Sequence, residues 1–268
     1  MTNNPVRSYV DYSGGQLHYR RWQSDSDDSP WVLLHHSASD SRSLLLLGQA
    51  LSNRGFDVIS LDTPGFGMSD PIDHPTMDAF SNAIHEALRG LGLESWSLFG
   101  HHSGASFALR LALRTPNETE RAVLSGILLP EPADKTRLSN PLMSLKPDQE
   151  GSHLMSAWNR VSRYTPDAPL HVLTREATSL LSAVNPHLVY QMLLDYDSRT
   201  DLTLLKCPLL VICGEREHLA ASAPVAATLA EHGSWEIIPG AGLDAQETHS
   251  NEMADLILGF ANNTRVKQ

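Results

Sequence analysis

The sequence predicts an α/β fold in which a mostly parallel sheet carries helices on both faces and is interrupted by one helical block. Three observations carry that prediction. Short apolar runs of strand length alternate with longer stretches of helical spacing from Trp31 to Ile127, and again from Leu209 onward. From about Leu129 to Leu204 the rhythm breaks into three helix-like stretches with no convincing strand. Between the two regions of alternation, Gly100 and Gly104 bracket a strand-to-helix junction. The expected organisation is a core domain from 1–128 and 205–268, with 129–204 inserted as a helical cap, or lid, over the C-terminal edge of the sheet, where α/β ligands bind.

Val10 to Trp22 reads as a hairpin turning at Gly14-Gly15. Trp31-Val-Leu-Leu34 is a continuous apolar run, as a parallel strand buried on both faces requires. Ser41 to Asn53 carries apolar residues at helical spacing. Phe56 to Leu61 is the next strand and Thr76 to Leu91 the next helix. Ser95 to Phe99 is a strand, and Ser103 to Arg114 a helix stopped by Thr115-Pro116. Ala122 to Ile127 closes the first series of strands. The second series is Leu209 to Cys213, a helix near Ala220 to Glu231, the strand Trp235 to Ile238, and a last helix near Asn251 to Asn262.

The chain has 268 residues, of which 41% are hydrophobic and 19% charged, so a continuous core is affordable. Lys plus Arg total 20 against 31 Asp plus Glu, a formal net charge of −11. With no basic cluster beyond pairs such as Arg20-Arg21, nucleic acid and anionic membrane are poor partners. The first residues have no apolar stretch of signal-peptide type, and the longest apolar run, Leu44 to Leu47, is far too short to span a bilayer. Cys207 and Cys213, six residues apart on one strand, would lie roughly 20 Å from each other. A disulfide needs Cα atoms within about 7 Å, so both read as core thiols of a reducing compartment. A cytoplasmic protein acting on a small molecule is the expectation, its oligomeric state open, a homodimer included.

Leu98-Phe-Gly-His-His-Ser-Gly-Ala-Ser106 carries the site. In a nucleophile elbow, G-x-Nuc-x-G, side chains two residues either side of the centre would collide with neighbouring backbone. Gly100 and Gly104 fill those places only if His102 is central. With Ser103 central, the flanking residues would be His101 and Ala105, and His101 fits badly.

Four further segments then fall into an order that resembles the α/β-hydrolase superfamily along most of the chain. Leu33-Leu-His-His36 resembles its strand-end His-Gly segment before the oxyanion loop. Asp62-Thr-Pro-Gly-Phe-Gly-Met-Ser-Asp70 resembles its Asp-x-Pro-Gly-x-Gly-x-Ser stretch. Gly214-Glu-Arg-Glu217 resembles the strand end bearing the acid, and Pro239-Gly-Ala-Gly242 the segment before the catalytic histidine. Gly151-Ser-His-Leu154 with Trp158 resembles the cap segment of a subgroup whose elbows read Gly-x-His-Thr-Gly. The resemblance implies the α/β-hydrolase fold and a site at these positions.

The departures are as informative. His102 stands where the superfamily has Ser, Cys or Asp, Leu243 where it has histidine, and His36 where it has glycine. The usual Ser–His–Asp relay therefore cannot form. An imidazole at the elbow would act as general base or as nucleophile, with Glu217 orienting it. The backbone N–H groups of Ser37 and Ser103 would form an oxyanion hole. His36, His101, His153, Trp158, His218 and Leu243 are pocket candidates. No cofactor and no metal is called for. Two other readings stay open: a non-catalytic ligand-binding protein, and a metal-dependent hydrolase drawing on the histidines.

Overall fold

A computed structural model of the protein describes residues 4–130, 145–166 and 168–265. β1 (Val6–Tyr12) and β2 (Gly15–Trp22) form an antiparallel hairpin, and β2 pairs antiparallel with β4 (Val58–Leu61). All further pairings are parallel. β3 (Trp31–Leu34) lies between β4 and β5 (Trp96–His101), followed by β6 (Thr119–Ser125), β7 (Leu209–Gly214) and β8 (Gly233–Ile238). The sheet order is β1-β2-β4-β3-β5-β6-β7-β8. The hairpin pairs Tyr12 with Gly15, so its turn is Ser13-Gly14 and not Gly14-Gly15. Gly15, whose φ is 146°, joins the ladder instead.

Alternation along each strand sorts the core into two layers. Val32, Leu34, Leu98, Leu124 and Val211 face one side. There they meet Phe80, Ile84 and Leu88 of α2 (Met77–Gly90), Phe107 and Leu111 of α3 (Ser103–Arg114) and Ala226 of α8 (Ser222–Leu229). Trp31, Leu33, Phe99, Val123 and Ile212 face the other, against Leu47 and Leu51 of α1 (Leu45–Ser52) and Met253, Ala254 and Ile257 of α10 (Ser250–Arg265). The helix α2 shows how sequence sets such an element. Thr76 caps it by accepting from the Ala79 N–H at 3.0 Å, Asp78 and Arg89 suit the two ends of its dipole, and its apolar residues recur at helical spacing.

Between β6 and β7 the described residues form α4 (Ser152–Tyr164), α5 (Leu170–Ser182), α6 (Pro186–Asp195) and α7 (Ser198–Leu204). Residues 131–144 and 167 of the expected helical block lie outside the described residues. Ala157, Ala177 and Leu180 pack α4 on α5, joined by Trp158, Val161 and Ala38. Polar contacts tie α5 to the loop after β3. Ser179 donates to Asp40 at 2.7 Å, and Arg42 reaches both Asp40 and Ser179. Ser39 donates to Glu176 at 2.9 Å. The short helix α9 (Ala245–Thr248) brings Glu247 against Arg175 of α5.

Candidate active site

Strand β5 ends at His101, α3 begins at Ser103, and His102 between them has φ 51° and ψ −113°. A non-glycine residue there is strained, and the surroundings hold it. Its N–H donates to Ser125 O at 2.8 Å, and its carbonyl accepts from the Ala105 N–H at 2.9 Å. A methyl group on Gly100 would strike the Gly104 carbonyl, and one on Gly104 would strike the Leu34 carbonyl. These are the backbone collisions that the two glycines avoid.

The imidazole Nε2 of His102 lies 2.7 Å from Glu217 Oε1, at the end of β7. The N–H is bent away from that line, so the close contact is not a directed hydrogen bond. A carboxylate this close favours the proton on Nε2 over a bare nitrogen, which leaves Nδ1 as the basic atom. The second oxygen of Glu217 accepts from the Cys213 thiol at 3.2 Å. Burial would raise the Glu217 carboxyl, but His102, Cys213 and His218 outweigh it and hold the group below its ordinary range. Burial, together with the neighbouring carboxylate, pushes the Cys213 thiol up, so it stays a proton donor.

Gly126 makes the pairing sterically feasible. It follows β6 with φ 62°, and a methyl group there would strike Glu217 Oε1 and come within 2.9 Å of His102 Cδ2 and Nε2. Sequence reasoning missed Gly126 and Cys213. The glycine after a strand was the available signal for the first, and two-residue alternation on one strand gave none for the second.

A cavity of about 620 Å³ opens beside this pair. His36, His102, Ser103, His218 and Leu243 line it, together with Leu128, Val161, Leu180 and Leu193 and the polar residues Arg160, Glu176, Tyr190 and Arg199. Three sequence-based pocket candidates lie elsewhere. His101, the last residue of β5, is buried behind the cavity wall, its ring centroid 4.5 Å from that of His102. Its Nε2–H donates to Leu243 O at 3.0 Å and its Nδ1 accepts from Ser125 Oγ at 3.1 Å, while burial and the adjoining His102 and His36 lower its pKa well below the usual value. His153, in the first turn of α4, accepts from the Asp148 N–H at 3.3 Å. Trp158 packs within the α4–α5 contact.

The expected oxyanion-hole donors need a correction of their own. The Ser37 N–H, thought to face a substrate oxygen, donates instead to Ser103 Oγ, and that hydroxyl donates to Ser37 Oγ at 3.0 Å. Next to Ser37, His36 Nε2 lies 3.2 Å from Glu176 Oε2. Burial would raise the Glu176 carboxyl, yet His36 and Arg175 bring it down to about 2. Ring centroids place His36 5.5 Å from His101 and 6.4 Å from His102, and His218 6.0 Å from His102. Among the described residues, no group of three His, Cys, Asp or Glu is arranged to hold a metal ion, and no helix is long and apolar enough to cross a membrane.

The sheet order, the strained turn and the acid after β7 together describe one known architecture. A family model described as the alpha/beta hydrolase fold matches residues 30–160, a span that includes the elbow. Over that span the chain is similar to the α/β hydrolases, and its fold is the α/β-hydrolase fold. The enol-lactonase of Burkholderia xenovorans LB400 superposes with a TM-score of 0.78 over 95% of this chain and 100% of that one, at 19% identity. Among sequence relatives, the proline iminopeptidase of Heyndrickxia coagulans is 21% identical over 78% of this chain and 82% of its own. The 2-hydroxy-6-oxononadienedioate/2-hydroxy-6-oxononatrienedioate hydrolase 2 of Pseudomonas putida is 31% identical, over 47% of this chain and 48% of its own.

Proposed function

We propose that this α/β-hydrolase-fold protein is a cofactor-free enzyme acting on a small, mostly apolar carbonyl compound, with His102 as its base. The observation that carries the proposal is the strained elbow holding His102 against the buried acid Glu217 at the edge of a cavity. Residues 1–128 and 205–268 are its core, and 129–204 the lid over the site. With Nε2 protonated toward Glu217, Nδ1 takes a proton from water or from an acidic C–H or O–H of the substrate. The imidazolium that results is stabilised by the carboxylate 2.7 Å away. Charge developing on the substrate oxygen is met by the backbone N–H of Ser103 at the start of α3. Direct attack of Nδ1 on an acyl group is the nucleophilic form of the same arrangement.

The hydrolases among the similar proteins support hydrolysis in general, and the reaction classes we propose are ester, lactone or C–C hydrolysis. Elimination, decarboxylation or ring closure would use the same base. Turnover by wild type and His102→Ala across a panel of esters, lactones and β-diketones tests the proposal, and a loss confined to the variant is the expected result. One observation favours a second reading. The Ser37 N–H is already engaged by Ser103 Oγ, as in a pocket that binds a ligand without turning it over. Under that reading His102→Ala changes affinity alone.

A further inference from the structure

We infer that His36 is a second catalytic group of this cavity, the proton donor that complements His102, with Glu176 behind it as Glu217 stands behind His102. The inference rests on the reading above and deepens it, since a site with its own proton donor suits carbonyl compounds whose leaving oxygen is a poor anion. Four histidines stand at the ends of β3 and β5, and the fold itself uses two of them. His35 donates from Nδ1–H to the His36 carbonyl at 2.9 Å and accepts at Nε2 from the Thr63 N–H at 3.0 Å. His101 is likewise paired at both nitrogens. His36 and His102 differ from these. Each lines the cavity, each sets Nε2 against a buried carboxylate, at 3.2 Å and 2.7 Å, and their ring centroids are 6.4 Å apart. His36 Nδ1 is buried and has no hydrogen-bond partner among the described residues, where an imidazole kept for structure would have one. With Nδ1 buried, Nε2, beside Glu176 in the cavity wall, is the nitrogen that a substrate can reach.

Glu176 is fixed for this role. Its Oε1 accepts from the Ser39 hydroxyl at 2.9 Å and from the Arg175 guanidinium at 2.6 Å, which leaves Oε2 toward His36. Ionised well below the usual carboxylate range, it offers the counter-charge for a protonated His36. The Ser37 N–H is engaged by Ser103 Oγ, so the end of β3 has no free backbone donor for a substrate oxygen there, and His36 stands one residue before it. In ester hydrolysis, His102 Nδ1 takes a proton from water as the water oxygen bonds to the carbonyl carbon. The bond from that carbon to the leaving oxygen then breaks, its electron pair goes to that oxygen, and His36 Nε2 gives the oxygen a proton. His102 has gained one proton and His36 has lost one, and exchange with water restores both. The net change is ester plus water to acid plus alcohol.

The test compares turnover of ethyl acetate and 4-nitrophenyl acetate by the full chain. Ethoxide is a poor leaving anion and needs the proton, whereas 4-nitrophenoxide is stable and needs it far less. Wild type, His36→Gln, His36→Leu, Glu176→Gln and His102→Ala are measured, with thermal melting to confirm that each is folded. The ratio of ethyl to 4-nitrophenyl ester turnover should fall by about 10²–10⁴-fold in both His36 variants, the usual contribution of a general acid. Glu176→Gln should move the ratio the same way by less, because it removes the counter-charge and leaves the donor. Equal losses on the two esters in both His36 variants overturn the inference. So does a wild-type ratio in His36→Gln, because glutamine keeps an N–H to hydrogen-bond but has no proton to transfer. His102→Ala turning over at the wild-type rate, with the ratio still falling on loss of His36, would remove the base and uphold His36. Hydrolysis of neither ester by wild type would overturn this inference together with the reading it rests on.

Discussion

Replacing Gly126 with alanine adds one methyl group between the two halves of the His102–Glu217 pair. Its φ of 62° costs an alanine about 1–2 kcal/mol by itself. The new carbon would also strike Glu217 Oε1 and stand 2.9 Å from two atoms of the His102 ring, where ordinary contact begins near 3.4 Å. Both partners are anchored. Glu217 is held by Cys213 and its own turn, and His102 by backbone bonds on either side, so neither yields cheaply. Overpacking of this kind adds about 1–3 kcal/mol, for a total of about 2–5 kcal/mol. The informative assay is urea unfolding of four proteins: wild type, Gly126→Ala, Glu217→Ala and the double variant. Removing the carboxylate removes the main collision, so Gly126→Ala should then cost only about 1–2 kcal/mol. That leaves a coupling of about 1–3 kcal/mol. An equal cost in both backgrounds would mean that Gly126 does not make room for the pair, and would refute the reasoning.

Further expectations concern the same groups. His102→Ser restores the superfamily's usual elbow residue, yet with Leu243 in place of a histidine that serine has no base, so turnover should stay at the His102→Ala level. Glu217→Gln should cost less than His102→Ala in turnover, because it removes the orienting charge and leaves the base. A fluorophosphonate should leave the protein unlabelled, and stoichiometric labelling at Ser103 or Ser106, read by mass spectrometry, would contradict the site. Glu176 gives a pH signature. Its carboxyl is held at about 2 in the fold against an ordinary 4.5, so its stabilisation is fully present above pH 4.5 and is lost as pH falls toward 2. Those figures set an upper limit of about 3 kcal/mol. Urea unfolding at pH 7 and pH 3 should show a smaller acid loss for Glu176→Gln than for wild type, and equal losses would remove Glu176 as the tie between α5 and the core.

Much of this was legible in the sequence where local chemistry decides the outcome. The elbow could be centred on His102 because Gly100 and Gly104 answer to backbone collisions that any chain would suffer there. Glu217 could be singled out because Gly214-Glu-Arg-Glu217 resembles the acid-bearing strand end of the α/β hydrolases. Helix α3 begins and ends as read, its stop written in Thr115-Pro116. What escaped depends on contacts between distant segments. Gly126 matters only because β5, β6 and β7 end side by side. The Ser37–Ser103 contact joins residues 66 apart. The rotation of α4, which turns Val161 and Arg160 to the cavity while Trp158 packs in the α4–α5 contact, is set by the packing of Ala157 on α5, and spacing along one helix cannot reveal it. The hairpin slipped by one residue because Ser13-Gly14 and Gly14-Gly15 are equally plausible turns until pairing with Tyr12 fixes the register.

The central claim is that His102 is the working base, and one comparison bears on it directly. A substrate is first identified, either from a molecule that survives purification and is named by mass spectrometry or from the ester, lactone and β-diketone panel. Its turnover is then measured for wild type and His102→Ala under saturating conditions. General-base catalysis contributes about 10²–10⁴-fold, so the variant should be slower by that factor while its affinity for the substrate changes little. Equal rates in the two proteins would contradict the account.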